Sequence, residues 1–227
     1  MKSKFFILFF ALYLAGSAAA HAEIYLGARY GTGLTMLYFM PHQNEKMAVT
    51  PINAAVAFRY CNSKALDYER YMNLMIEFGY GERGYSMNTH PIASSDTTAG
   101  EKTTRKSQVL ELPLVMQAKI PLYRDFNLLI TGVAYVAYYL KNTQRYEADG
   151  RQVKETFSYD HFNGFEYGVG GGLGFSLSIG KTDFALDARY MASMSYLYTP
   201  VISQARFLYE SMPMQIIISF SVMRKIF

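Results

Sequence analysis

The sequence has no tryptophan and only one cysteine, Cys61, among its 227 residues. A single cysteine excludes an intramolecular disulfide and a thiolate metal cluster. We interpret Cys61 as a small apolar side chain on a strand, with a reactive thiol as the alternative. The chain also lacks a strong excess of one charge, since 22 Lys and Arg stand against 18 Asp and Glu. This balance argues against a nucleic-acid-binding protein.

After its N-terminal region the chain lacks the run of ~20 apolar residues that a transmembrane helix requires. The nearest candidate, residues 128–140, is short and rich in tyrosine and valine, which favour strands over helices. The sequence therefore argues against a helical membrane protein.

The N-terminal residues 1–22 have the pattern of a secretory signal peptide. Two lysines precede an apolar run over 5–15, and small residues then lead to Ala20-His21-Ala22. A basic head, an apolar middle and an A-x-A site are the parts of such a peptide. A membrane-anchoring helix is the weaker alternative, because the run is short for a span. We predict cleavage after Ala22 and one exported domain over 23–227.

Strand-like alternation is abundant in this domain. In 24–38 the even positions are mostly apolar, whereas the odd positions carry glycines and Arg29. The same period of two recurs in 52–60, 72–81, 110–119, 165–179, 184–190 and 214–222, and 126–140 is the remaining predicted strand. Such alternation predicts strands with two unlike faces. Both faces of 126–140 are apolar or aromatic, so the sequence leaves the orientation of that strand open.

The links between these segments alternate between short and long. Short links occupy 61–70, 121–125 and 180–182, and longer polar links occupy 39–50, 82–106, 141–163 and 197–211. Short turns at one end and long loops at the other are typical of outer-membrane barrels, whose short turns face the periplasm.

Only a closed sheet can cross lipid without unpaired backbone groups. We therefore predict an all-β protein, an eight-stranded antiparallel up-and-down transmembrane β-barrel. A soluble periplasmic barrel of the lipocalin type is the alternative, but it would place its apolar face inside. The polar face of this chain is sparse and rich in glycine, which suits a narrow lumen better than a solvated exterior.

The polar face predicts a filled lumen. Eight strands leave an interior that side chains can fill, so we expect a plug, with a small-solute pore as the alternative. Asp187 is expected to pair with arginine in the periplasmic half, because buried charges require partners. Glu77, Glu111 and Glu166 are expected together in the outer half of the lumen. A Lys or Arg from a loop, a bound cation or protonation would neutralise their charge. The predicted lumen charges are Arg29, Arg59, Glu77, Glu111, Lys119, Glu166, Asp187 and Arg189.

The glycine-rich stretch FEYGVGGGLGFSLSIG, residues 165–180, invites comparison with a phosphate-binding loop. Such a loop would precede a helix, and no helical pattern follows. Its glycines keep the strand period at Gly168, Gly170, Gly172 and Gly174. We predict that they make room in the lumen and permit the coiling that barrel closure requires.

Several segments follow one another in a familiar order: IYLGARYGTGL, then the hairpin LELPLVMQAKIPL and FNLLITGVAYVAYYL, then FEYGVGGGLGFSL, FALDARYMASMSYL and MQIIISFSVMRKIF. In this order they resemble the small outer-membrane β-barrel proteins grouped with PorT, over the whole of 23–227. The resemblance implies an outer-membrane location and, through the member that gives the group its name, a link to protein secretion. The terminal Phe227 on an amphipathic strand is similar to the ends of proteins that the barrel assembly machinery recognises, which implies that machinery as a partner.

No constellation of catalytic or metal-binding residues is evident. The histidines of 23–227 lie in predicted loops without ligand spacing, so we predict neither a metal nor a cofactor. Ser158, Asp160 and His161 in SYDHF allow a lipid-modifying enzyme as an alternative, although neighbours in one loop do not make a triad. We predict a non-enzymatic protein embedded in outer-membrane lipid, with a structural or binding role through loops 82–106 and 141–163, since loops on rigid scaffolds commonly bind partners.

Overall fold

The computed structural model describes residues 22–40, 45–62, 72–88, 102–148, 151–156, 164–197, 202–203, 206–207 and 210–227. Its strands are β1 (Ala22–Met40), β2 (Glu45–Asn62), β3 (Met72–Asn88), β4 (Lys102–Tyr123), β5 (Phe126–Ala148), β6 (Arg151–Thr156), β7 (Phe165–Ile179), β8 (Thr182–Ser193), β9 (Ile202–Ser203), β10 (Arg206–Phe207) and β11 (Glu210–Lys225). Within these ranges no helix is long and apolar enough to cross a membrane. The predicted signal peptide lies outside them except for Ala22, so its cleavage stays a prediction.

Eight long strands form one closed antiparallel sheet. Their order around the ring is β4-β3-β2-β1-β11-β8-β7-β5, and pairing of β4 with β5 closes it. The first and last strands, β1 and β11, also pair with each other, and next to this pairing the Ile24 backbone N–H donates to the Phe227 carbonyl at 3.1 Å. The predicted eight-stranded barrel is confirmed.

Burial alternates along the long strands: the exposed side chains are mostly apolar, and the charged side chains lie inside together with a second set of apolar ones. On β7 Tyr167 is 49% exposed, whereas the neighbouring inward Glu166 is 1% exposed. A soluble barrel would show the reverse arrangement, whereas an apolar exterior is what a lipid-embedded barrel presents. The structure also settles the orientation of β5: from Leu129 to Tyr139 its odd positions are buried, whereas Tyr138 is exposed.

The strands extend further at one end than the apolar alternation predicted. β3 and β4 stay paired from Glu82 opposite Gln108 up to Asn88 opposite Lys102, and β6 folds back onto the end of β5. The predicted bounds of loops 82–106 and 141–163 are therefore wrong, because much of each is a hairpin. Strand segments beyond the lipid do not require an apolar face. They therefore lack the alternation of apolar and polar residues by which strands are recognised in a sequence.

The opposite end of the barrel carries tight turns. Only residues 124–125 separate β4 from β5, and only 180–181 separate β7 from β8. Arg124 and Gly180 adopt positive φ angles of 44° and 60° to close these turns. We assign this end to the periplasm, since short turns lie on that side in bacterial barrels.

Candidate functional site

Among the described residues, five cationic and five anionic side chains of the lumen pair with one another in three clusters. We name them by position along the barrel. The periplasmic cluster is Arg59, Lys119 and Asp183; the central cluster is Arg29, Glu77, Asp187 and Arg189; the outer cluster is Arg83, Glu111 and Glu166.

The central cluster connects opposite walls of the barrel. Glu77 on β3 is fully buried and accepts hydrogen bonds from Arg29 Nε at 3.0 Å and from Arg189 Nη1 at 2.9 Å. Arg189 Nε donates to Asp187 Oδ2 at 2.5 Å. Ser219 Oγ donates to the other oxygen of Asp187 at 3.1 Å. The structure thus brings Asp187 together with an arginine, and it ties β1, β3, β8 and β11 to one another.

The periplasmic cluster is centred on Asp183, just after the turn between β7 and β8. Its carboxylate accepts hydrogen bonds from Arg59 and from Lys119, the latter at 2.5 Å. The Arg59 guanidinium also lies over the Tyr25 ring, 4.0 Å from its centre. Sequence reasoning missed Asp183 because it began the strand at Phe184. Its odd position, shared with Asp187 and Arg189, was the available signal.

The outer cluster is centred on Arg83, which lies in the part of β3 that was predicted as a loop. Arg83 Nη2 donates to Glu111 Oε1 at 2.6 Å, and Nη1 donates to Glu166. The hydroxyls of Tyr135 and Tyr139 donate to Glu166 at 2.7 and 2.5 Å. One arginine and two tyrosines therefore satisfy two buried carboxylates.

The expectation that the three glutamates form one acidic group is wrong for Glu77, which belongs to the central cluster. Glu111 and Glu166 do lie together, but their cation comes from the continued strand β3. Arg83 shares the odd parity of Glu77, Gly79 and Gly81, and that parity could have identified it.

Apolar side chains fill the lumen around the charges. A cap of Leu37, Tyr85, Val109, Tyr139 and Leu197 packs at the outer end. A cavity beside it, which Arg83 also lines, measures about 20 Å³, enough for roughly one water molecule. A second apolar cluster contains Ala57, Met75, Val115, Val133, Tyr135, Ala137, Met191 and Met223.

The inward glycines of β7 allow β8 to approach closely. A Cβ atom on Gly172 would lie 2.5 Å from the Ala188 carbonyl oxygen and 3.0 Å from Arg189 Cγ. On Gly174 it would lie 2.7 Å from the Asp187 Cβ. Gly168 and Gly170 face the β8 backbone in the same way. The absence of side chains at these glycines therefore leaves room for Asp187 and Arg189 of the central cluster.

The remaining predicted residues are peripheral. Cys61 is partly buried, and its thiol donates to Asn73 Oδ1 at 2.7 Å. Phe227 is 76% exposed at the periplasmic end. Ser158, Asp160 and His161 lie outside the described residues, as do His42 and His90. Among the residues that the structure covers, no group of three His, Cys, Asp or Glu side chains could hold a metal ion.

Comparison with solved structures finds other outer-membrane proteins at low identity. The chain is 11% identical to neisserial surface protein A, covering 89% of this chain and 97% of that one, with a TM-score of 0.45. It is 10% identical to Ail, the attachment invasion locus protein of Yersinia pestis, covering 88% and 99%, with a TM-score of 0.42. It is 9% identical to the outer membrane protease OmpT of Escherichia coli, covering 90% and 96%, with a TM-score of 0.39. The activities in these names belong to those proteins.

Comparison of the sequence with protein families gives a more direct result. No curated protein sequence matches the chain. The outer membrane protein beta-barrel domain family matches residues 17–198. The match does not single out the PorT group, so that narrower resemblance stays a prediction. Because the match spans most of a chain that folds into a closed eight-stranded sheet, the chain belongs to the outer membrane protein beta-barrel domain family and is an outer-membrane protein.

Proposed function

We propose that the protein is a plugged barrel, which crosses the outer membrane without conducting solutes and serves as a structural or binding element of the cell envelope. The pairing of charges in the lumen carries this proposal. Each of the five cations in the three clusters has a carboxylate partner within 3.0 Å. Charges that are held in buried pairs are withdrawn from water, whereas a pore needs hydrated charges along its path.

The pairs also obstruct the lumen physically. Arg83 on β3 reaches Glu166 on β7, and Arg189 on β8 reaches Glu77 on β3. A solute would have to separate both pairs, which would leave buried charges without their partners, and such charges are costly. The apolar cap at the outer end adds a second barrier, since polar solutes would lose their hydration there.

Conductance across planar bilayers tests the plug. We expect the reconstituted full chain to show no stable single-channel steps. The triple variant Arg59→Ser, Arg83→Ser, Arg189→Ser removes one arginine that crosses the lumen from each of the three clusters, so we expect it to conduct and to show that the assay detects an opened barrel. Folding of both proteins is checked by heat-dependent electrophoretic mobility. Large, stable steps from the unmodified protein would contradict the plug.

The binding role is assigned to the outer end, where β3–β4 and β5–β6 form hairpins. These hairpins extend beyond the apolar belt, the band of exposed apolar side chains that ends on β5 at Tyr138 and Leu140. The resemblance to the PorT group extends the proposal to a link with protein secretion. Photo-cross-linkers placed in 89–101 and, as a control, at Lys181 in a periplasmic turn would test it in native membranes. Enrichment of a secretion component from the outer position supports the link, and equal capture from both positions contradicts it.

The terminal strand is assigned a role in biogenesis. Exposed Phe227 lies two residues beyond the end of β11, the strand that pairs with β1. We propose that barrel assembly machinery recognises it. Deleting Phe227 should slow assembly in cells and leave refolding of the purified chain in detergent unchanged; slowing in both settings would indicate a structural role instead.

The proposal assigns no catalytic activity to the chain. The alternative of a lipid-modifying enzyme rests on Ser158, Asp160 and His161, outside the described residues. It would replace the present proposal if the purified protein altered lipid A and His161→Ala abolished that change.

A further inference from the structure

Four basic residues lie together on the outward face of the sheet, directly beyond the apolar belt. They are Lys106 on β4, Lys141 and Arg145 on β5, and Lys154 on β6, and we call them the basic cluster. Lys141, Arg145 and Lys154 are exposed, and Lys106 is partly exposed. In the part of the chain that the structure describes, no ion pair joins any of them to a carboxylate.

Strand register places these residues on one surface. Gln108 pairs with Lys141 and Val109 with Tyr139, so Leu140 is an extra residue in β5. This bulge moves Lys141 and Arg145 to the outward face, and Lys106 shares that face with the exposed Leu110.

The same register brings like charges together. Arg145 lies directly opposite Lys154. Lys106 lies opposite Thr143, and is therefore diagonal to both Lys141 and Arg145. Directly opposed residues on a sheet have Cβ atoms about 5 Å apart, and like charges in that position are destabilising. A bound anion would remove this repulsion.

Nearby carboxylates leave the cluster with an excess of positive charge. The strand register gives two acidic residues at positions on the same face as the cluster: Glu82 pairs with Gln108, and Glu147 pairs with Gln152, two positions beyond the Arg145–Lys154 pair. Set against four cations, these two residues leave a net charge of +2 by simple count.

The depth of the cluster identifies the anion. The exposed Tyr138 and Leu140 directly precede Lys141. A strand rises about 3.3 Å per residue and tilts by about 45°, so Lys141 is about 2 Å and Arg145 about 12 Å beyond Leu140 along the membrane normal. The polar layer of a bilayer extends about 5–7 Å beyond the hydrocarbon on each side. The cluster therefore begins within the headgroup layer and ends just above it.

We propose that the basic cluster binds the phosphorylated headgroup of a glycolipid in the outer leaflet. Arg145 offers a planar fork that matches phosphate oxygens, and the three lysines supply compact charges around it. The apolar surface below, with Tyr138 and Leu140, faces the acyl chains of the same lipid. The site lies on the outer wall and does not depend on whether the lumen is plugged.

Lipid titration of the purified full chain in zwitterionic detergent tests the proposal, with native mass spectrometry to count bound lipids. The probes are bis-phosphorylated lipid A and the same lipid without its phosphates. The test variant is Lys106→Gln, Arg145→Gln, Lys154→Gln. The matched control, Arg124→Gln, Lys181→Gln, Arg224→Gln, removes three exposed cations from the periplasmic end.

A basic residue near an anionic membrane surface contributes about 1 kcal/mol, or roughly fivefold in affinity. We therefore expect about 100-fold weaker binding of the phosphorylated lipid by the test variant and little change in the control. If the triple variant fails to fold, Lys154→Gln alone should weaken binding about fivefold. The charge-conserving variant Lys106→Arg, Lys154→Arg should bind like the unmodified protein.

Three results would overturn the proposal. One is an equal loss of binding in the test and control variants, and another is equal binding of the lipid without phosphates. The third is binding of soluble inorganic polyphosphate as tightly as lipid A, which would identify the cluster as a site for soluble polyanions.

Discussion

Glu77 is the position where the lumen clusters make their sharpest prediction. The substitution Glu77→Gln keeps the size of the side chain and removes its charge. It leaves Arg29 without its carboxylate partner and leaves Arg189 with Asp187 alone. Arg29 already has one buried nitrogen without a hydrogen bond, so the remaining polar surroundings cannot readily replace Glu77.

The expected cost follows from the two contacts of Glu77. At an effective dielectric constant of about 20, two opposite charges 3–4 Å apart attract by about 4–5 kcal/mol. Desolvation offsets much of this attraction in the intact pair. After Glu77→Gln the arginines remain buried but lose the charge that compensated their desolvation. Removal of one partner from a buried pair typically costs about 3–5 kcal/mol, and we expect a loss of this size in the free energy of unfolding.

Urea unfolding in phospholipid vesicles measures this loss. Because the chain has no tryptophan, far-ultraviolet circular dichroism and heat-dependent electrophoretic mobility report folding. The matched control is Glu23→Gln, which breaks a 2.7 Å pair with Lys225 whose side chains are 32% and 33% exposed. A partly solvated pair of this kind contributes little, about 0–1 kcal/mol for surface pairs, and the Gln side-chain oxygen can still accept the hydrogen bond that Tyr25 donates to Glu23, so the control should cost far less than Glu77→Gln. Equal costs for Glu77→Gln and Glu23→Gln would refute the reasoning.

Two further substitutions test the glycines and the outer hairpin. Gly172→Ala should destabilise the barrel by about 1–3 kcal/mol or prevent its assembly, because the added methyl overpacks against β8. The control Gly132→Ala should fold normally, since its Cβ would meet nothing within 4 Å. Equal behaviour of the two variants would contradict the steric explanation. Replacing 89–101 by a two-residue Asn-Gly turn should leave heat-dependent mobility unchanged, because Asn88 and Lys102 already pair across the hairpin. The same replacement should weaken any partner binding. Loss of folding would contradict this separation of scaffold and binding segment.

Much of the lumen could be assigned to one face from parity alone. The eight predicted charges all lie on inward positions and belong to the three clusters. Seven of them are buried, and Lys119 is partly buried. The residues that were missed, Arg83 and Asp183, share that parity but lie beyond the ends of the apolar alternation. Hydrophobic period detects a strand only where one face meets lipid, so polar residues at the ends of the same strands escape it.

Pairing across the lumen could not be predicted in the same way. Arg83 and Glu166 are 83 residues apart, and Arg189 and Glu77 are 112 residues apart. Which of them meet depends on the stagger of the strands and on how far each side chain reaches into the barrel. Neither quantity is present in the local pattern, and this is why Glu77 was grouped with the wrong glutamates.

The orientation of β5 shows the same division. Both of its faces are apolar or aromatic, so transfer to lipid favours neither. The structure decides because Tyr135 and Tyr139 can direct their hydroxyls to Glu166 only from the inward face. The sequence by itself determined a closed eight-stranded barrel, since alternation and link length are local properties and lipid tolerates no open edge. The tertiary structure decided the three charge clusters, the reach of the outer hairpins and the surface on which the basic cluster lies, because each depends on register between strands distant in the chain.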